Sequence, residues 1–187
     1  MNTPGTPEFL EMLERWHDVF LLTGTAAVTL IGLLFVSLSF NLDVILHESR
    51  AHLLALARQS FFGFIYVMLV SLMFLIPHQN ARMLGISLTA ASGVVLGILV
   101  TQLVRTRGRS SSKHEKFLQR RSRFLVVGYS LALLNSVAMI VLGIPELAFN
   151  FIGVICMLLG NAAGTSWDLL VELGKLKTEQ RGASEGG

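Results

Sequence analysis

The chain has 187 residues, of which 52% are hydrophobic and 14% are charged, and its formal net charge is +3. Soluble domains average about a quarter charged residues, so the composition argues against a water-soluble globule. Uncharged runs of about eighteen or more residues predict membrane-spanning helices. There are five such runs: Val19–Asn41, Gln59–Ile76, Met83–Val104, Phe124–Ile144 and Leu147–Trp167.

The predicted fold class is therefore all-α, an integral membrane bundle of five transmembrane helices. We expect one membrane domain over residues 1–176 and a disordered cytoplasmic tail over residues 177–187, where the sequence becomes polar and glycine-rich. The N-terminal segment predicts an amphipathic lead-in helix, with Thr6 as cap and Pro7 at the first helical position. Its acidic start argues against a removable signal peptide, so we expect it to continue into the first span.

Small and hydroxyl residues recur along the first span at a spacing of four, three, four, three and four, which places them on one helical face. Such a face lets helix backbones approach closely, so helix packing is one interpretation. The other is a hydrated path that ends at a carboxylate, as in a channel. We call this set the small-residue stripe: Thr25, Thr29, Gly32, Ser39 and Asp43, with Val36 between them.

Apolar and charged residues alternate between Asp43 and Arg58, which predicts a short amphipathic segment at the membrane surface. His47, Glu48 and His52 are the candidates for chemistry there. The two histidines are five residues apart, which is poor geometry for a helical metal pair. No spacing of nucleophile, base and orienting residue is visible either, so an enzyme is the least favoured hypothesis.

The second span ends at Pro77 and the third begins after Asn80, so the two form an antiparallel hairpin. The third span carries a ladder of small residues, one every four positions, which predicts close helix packing. The ladder is Gly85, Thr89, Gly93, Gly97 and Thr101. The fifth span has a second G-x-x-x-G pattern from Gly160 to Gly164.

Two asparagines lie inside predicted spans: Asn135 in the fourth, and Asn161 within the second glycine pattern. An amide in hydrocarbon needs a hydrogen-bond partner, so both are predicted to bond across to neighbouring helices.

The segment from Arg105 to Arg123 holds eight of the fifteen Lys and Arg residues. A capping box over Ser112–Glu115 predicts a helix that begins near Lys113 and runs into the fourth span. We expect these basic residues to bind anionic lipid headgroups at the cytoplasmic face, with a protein partner as the alternative. They are Arg105, Arg107, Arg109, Lys113, Lys116, Arg120, Arg121 and Arg123.

Five spans place two Lys and Arg residues, Arg15 and Arg82, on one side of the membrane and the other thirteen on the opposite side. The positive-inside rule then predicts an external N-terminus and a cytoplasmic C-terminus in the plasma (inner) membrane.

The run W-H-D-V-F-L-L-T-G-T-A-A-V-T-L-I-G-L-L-F-V-S-L-S-F-N-L-D-V-I (Trp16–Ile45) resembles the start of a set of small bacterial multi-pass proteins. Some of these carry the label modulator of FtsH protease. The segment S-W-D-L-L-V-E-L (Ser166–Leu173) resembles the same set. The resemblance implies a non-catalytic regulator of a membrane protease and assigns no functional residues.

No metalloprotease, hydrolase, P-loop or dinucleotide-binding motif occurs in the sequence. The sequence therefore predicts a non-enzymatic bundle without metal or cofactor, which binds lipid and other membrane proteins and has no nucleic-acid partner. A small homo-oligomeric channel lined by the first span is the alternative.

Overall fold

The computed structural model describes residues 7–41, 51–77, 80–106, 113–142 and 144–185, and every element within these ranges is helical. A short 3-10 turn over Pro145–Phe149 precedes the last helix. The long helices are α1 (Pro7–Phe40), α2 (Ala51–Leu75), α3 (Ala81–Thr106), α4 (Lys113–Leu142) and α5 (Asn150–Glu185).

Each long helix includes a stretch that is long and apolar enough to cross a membrane. The all-α prediction and the five apolar helices are thus confirmed for the described residues. The stretches are Leu13–Phe40, Leu53–Leu75, Ala81–Thr101, Leu125–Leu142 and Leu147–Lys175, the last including the final three residues of the 3-10 turn.

Several helix boundaries follow local signals in the sequence. Helix α1 begins at Pro7 and is unbroken, so the lead-in and the first span form one helix. Helix α4 begins at Lys113, directly after the first residue of the capping box. Leu84 N donates to Asn80 O over 3.0 Å and so forms the first helical hydrogen bond of α3.

Two boundaries differ from the sequence expectation. Helix α2 begins at Ala51, so residues 51–58, the second half of the predicted amphipathic segment, form the first part of this long helix. Helix α5 continues to Glu185, through most of the tail expected to be disordered. Lys, Glu, Gln and Arg favour helix, and adding residues to an existing helix avoids the cost of nucleation.

Helix α2 is central to the bundle. It packs against α1 and α5 and more briefly against α3, while α4 packs on α3 and α5. Its inner face supplies large buried side chains, among them Tyr66 and Phe74. The ring of Tyr66 packs on Tyr129 of α4 with centroids 4.8 Å apart, and the ring centroid of Phe74 lies 5.8 Å from that of Phe151 of α5.

The helices alternate in direction, so the bundle has two ends. We call the end where α1, α3 and α5 finish the basic end, because the Arg105–Arg123 segment begins there. We call the opposite end, which holds the Pro77 and Pro145 connections, the turn end. Antiparallel contacts such as Thr23 with Ser71 fix the register between the helices.

Candidate functional site

Helices approach each other closely at four glycines, where an added Cβ would lie unusually near an atom of the neighbouring helix. A Cβ at Gly63 of α2 would lie 3.0 Å from the Cβ of Ala162 in α5. A Cβ at Gly24 of α1 would lie 3.1 Å from the Cβ of Ser71 in α2. Two more such contacts, at 2.8 Å and 3.2 Å, are Gly85 of α3 against Ile140 of α4, and Gly128 of α4 against Leu158 of α5.

Of these four glycines, sequence reasoning singled out Gly85 and missed Gly24, Gly63 and Gly128. None of the missed three belongs to a G-x-x-x-G pattern. Each is an isolated glycine in an apolar helix, where glycine is about 1 kcal/mol less favourable than alanine. An isolated glycine within a helix often has a packing reason. The presence of this unfavourable residue is therefore the sequence signal that could have indicated the three contacts.

Hydrogen bonds between side chains join successive helices. Thr23 Oγ1 and Ser71 Oγ lie 3.1 Å apart between α1 and α2. Tyr66 Oη and Ser92 Oγ lie 2.7 Å apart between α2 and α3. Thr89 Oγ1 of α3 donates to Ser136 Oγ of α4 over 3.0 Å.

The amide of Asn135 links α4 to the start of α5. Asn135 Nδ2 donates to the carbonyl of Leu147 over 2.8 Å, and its Oδ1 accepts from Asn150 Nδ2 over 3.0 Å. The other predicted amide, Asn161, lies half-buried on α5.

The small-residue stripe of α1 faces away from the bundle. Thr25, Thr29 and Ser39 are exposed, and a Cβ added at Gly32 would meet no atom within 4 Å. Each hydroxyl donates to the carbonyl four residues earlier in its own helix, over 2.8 to 2.9 Å. These donors are satisfied without water, so lipid or a second helix can cover the stripe. Asp43 lies outside the described residues.

On α3 and α5, some of the predicted small packing residues face a neighbouring helix and others are exposed. On α3, Gly85 and Thr89 face α4, and a Cβ at Gly93 would lie 3.9 Å from Leu133. Gly97 and Thr101 are exposed further along the same helix. On α5, Gly160 is exposed with no neighbour within 4 Å, while Gly164 is half-buried.

Two tryptophans mark two levels along the bundle axis, one toward each end. Trp16 packs edge-on against Phe149 at the turn end, with ring centroids 5.5 Å apart. Trp167 is 68% exposed near the basic end. It lies eighteen residues beyond Phe149, about 27 Å at about 1.5 Å per residue. Tryptophan is enriched at membrane interfaces, and the hydrocarbon core between them is about 30 Å thick.

Arg58 lies at the depth of Trp167. Gly63 of α2 and Ala162 of α5 are in contact, and Arg58 and Trp167 each lie five residues from this contact toward the basic end. The exposed Arg58 guanidinium is 5.6 Å from the ring centroid of Phe62, so an aromatic face supports the charge. The predicted lipid-binding side chains between Arg105 and Arg123 lie outside the side chains that the structure describes.

Comparison with protein-family models, curated proteins and solved structures finds no match to this chain. Among the described residues, no group of three or more His, Cys, Asp or Glu side chains lies together as a metal site would require.

Proposed function

We propose that the chain is a non-enzymatic multi-pass membrane protein that binds another membrane protein through the outward face of α1. The supporting observation is the separation of small residues on this helix. Gly24 lies against Ser71 of α2, whereas Gly32 and the hydroxyls of Thr25 and Thr29 have no neighbouring helix. One face of α1 therefore holds the bundle together, and the other is free for a partner.

We also propose that this membrane is the plasma (inner) membrane, with the basic end in the cytoplasm and the N-terminus outside. The tryptophan levels about 27 Å apart support insertion across a single bilayer. The charge distribution supports the direction, since thirteen of fifteen Lys and Arg residues belong to the basic side.

Packing physics explains why a small-residue face suits a partner helix. Lipid tails are as apolar as leucine, so helices in a bilayer associate through close packing rather than through a hydrophobic driving force. The stripe provides a shallow groove of small atoms, and the large exposed side chains of Leu22, Leu33 and Phe35 flank it. A partner helix in this groove would gain dispersion contacts along several turns.

A membrane protease is the partner to test first, because the resemblance of Trp16–Ile45 to proteins labelled modulator of FtsH protease points to that class. The resembling run includes the whole stripe. On this proposal the chain regulates the protease by contact and contributes no catalytic group.

A homo-oligomeric channel is the second candidate, and the three exposed hydroxyls favour it. Although each hydroxyl donates to its own helix, its oxygen can still accept a hydrogen bond from water. In this case several copies would surround a pore, with Thr25, Thr29 and Ser39 toward the water.

Replacing Gly32 by isoleucine is expected to reduce partner binding while the bundle stays folded. The new side chain would fill the groove, while a Cβ at this position meets no atom of the described residues within 4 Å. With a photoreactive residue at position 33, we expect the yield of the crosslinked partner from native membranes to fall about tenfold, equivalent to about 1.4 kcal/mol.

Gly153→Ile is the matched control, because Gly153 of α5 is also exposed with nothing within 4 Å. Its crosslinking yield should equal that of the unchanged chain. Recovery of lipid adducts alone would contradict the proposal. Crosslinks between copies of this chain, together with ion flux in liposomes, would favour the channel instead.

A further inference from the structure

Within the described helices, three buried side-chain atoms have no hydrogen-bond partner, and all three lie in the half of the bundle toward the basic end. They are Ser37 Oγ of α1 and the neighbouring Gln59 Nε2 and Ser60 Oγ of α2. Leaving a buried polar group unpaired costs about 1–3 kcal/mol. An unpaired group in a folded protein therefore needs an explanation.

All three side chains lie toward the basic end. The Thr23–Ser71 hydrogen bond sets the register of α1 and α2, and Ser60 is eleven residues from it along α2. Ser37 is fourteen residues from it along α1. At about 1.5 Å per residue these separations are about 16 Å and 21 Å, so the two hydroxyls lie within about one helical turn in depth.

Ser60 differs from every other fully buried polar side chain among the described residues. Five such side chains have 0% exposure, and four of them have partners. Ser71 bonds Thr23, Ser92 bonds Tyr66, Ser136 donates to the Leu133 carbonyl, and Thr165 donates to the Asn161 carbonyl. The unpaired hydroxyl of Ser60 is thus specific to its position and is not general in this bundle.

The surroundings of Ser60 form a packing unit of their own. A small apolar cluster at the basic end is separate from the main core and draws on three helices. Its buried members are Leu34 of α1, Leu53, Leu56, Ala57 and Phe64 of α2, and Ala162, Leu169 and Leu173 of α5. The two clusters meet at Leu159 of α5, which packs against both.

We propose that a narrow polar crevice opens from the basic end between α1, α2 and α5, and admits water to the depth of Ser60. The two serine hydroxyls can donate and accept, the Gln59 amide can donate twice, and none of the three side chains is charged. A buried water typically makes about three hydrogen bonds, which this donor and acceptor set can supply. The main core beyond Ser60, where the buried hydroxyls are paired, closes the crevice.

Cysteine accessibility tests the crevice directly. With Cys156 replaced by alanine, single cysteines are placed at Ser60, at the equally buried but hydrogen-bonded Ser71, and at the exposed Lys175 of the basic end. A membrane-impermeant methanethiosulfonate reagent is added to vesicles of each orientation. Thiolate reacts and a dry buried thiol does not, so Ser60→Cys should react at least about tenfold faster than Ser71→Cys.

The side of labelling is part of the test. Ser60→Cys should react only from the side that labels Lys175→Cys. Equal slow reaction at positions 60 and 71, or reaction of Ser60→Cys from the opposite side, would overturn the proposal.

If Ser60→Cys does not accumulate as folded protein, the thermal stability of Ser60→Ala shows whether the Ser60 hydroxyl is hydrated or dry. A hydrated hydroxyl loses its bonds to water on replacement, so the midpoint of thermal unfolding should fall, as it should for Ser71→Ala. A dry, unpaired hydroxyl is relieved by replacement. An unchanged or higher midpoint for Ser60→Ala would therefore overturn the proposal.

Discussion

Replacement of Gly63 by leucine is expected to lower the free energy of unfolding by about 3 kcal/mol, the upper end of the usual cost of overpacking. A Cβ at this position already lies 3.0 Å from the Cβ of Ala162. Neither atom can rotate away, because a Cβ is fixed to the backbone. Helices α2 and α5 must therefore move apart, and they lose dispersion contacts along their shared face.

Gly160→Leu is the matched control for Gly63→Leu, since the residue types are the same and Gly160 has no neighbour within 4 Å. Denaturant unfolding in lipid-detergent micelles, followed by the fluorescence of Trp16 and Trp167, measures both variants. We expect Gly160→Leu to unfold at nearly the midpoint of the unchanged chain. Equal losses in the two variants would show that α2 and α5 do not pack as described.

Truncation of Tyr66 to alanine is expected to lower the free energy of unfolding by about 3–5 kcal/mol, as for other large aromatic side chains in cores. Tyr66 is 1% exposed, and its ring packs edge-to-face on Tyr129 with centroids 4.8 Å apart. Its removal leaves a cavity where α2, α3 and α4 meet. The same unfolding assay measures the loss, and Leu134→Ala is the control, since Leu134 of α4 is 67% exposed.

The phenylalanine variant separates the ring of Tyr66 from its hydroxyl. In the unchanged chain, Ser92 Oγ lies 2.7 Å from the hydroxyl of Tyr66. Tyr66→Phe keeps the ring but removes this hydrogen-bond partner of Ser92. That unpaired group should cost about 1–3 kcal/mol, and adding Ser92→Ala should recover most of the loss. If Tyr66→Phe were as damaging as Tyr66→Ala, filling of the core by the ring would not be the main role of this side chain.

Hydropathy and local signals predict where the helices are, because a bilayer requires about twenty apolar residues per span. The capping box places the start of α4, and Pro77 limits α2. Hydropathy cannot predict which side of a span faces inward, since lipid and protein core are both apolar. Leu34 and Phe35 illustrate this: they are adjacent and equally apolar, yet 4% and 67% exposed.

The same limit applies to the candidate site. The spacing of Thr25, Thr29 and Gly32 predicts a shared face but not its direction, and the bundle turns this face outward. Gly24 is adjacent to Thr25 but serves the inner contact. Which glycine is buried depends on the register between α1 and α2, a tertiary property that no single span encodes. Lipid binding by the basic residues and a role for Asp43 stay predictions.

The proposed topology, five crossings with the basic end in the cytoplasm, places the two termini on opposite sides of the membrane. The most direct measurement fuses, in separate chains, an enzyme reporter that is active only outside the cytoplasm and a fluorescent reporter that matures only inside it. We predict enzyme activity from the N-terminal fusion and fluorescence from the C-terminal fusion. If both termini report the same compartment, the number of crossings is even, which contradicts the five-helix membrane topology.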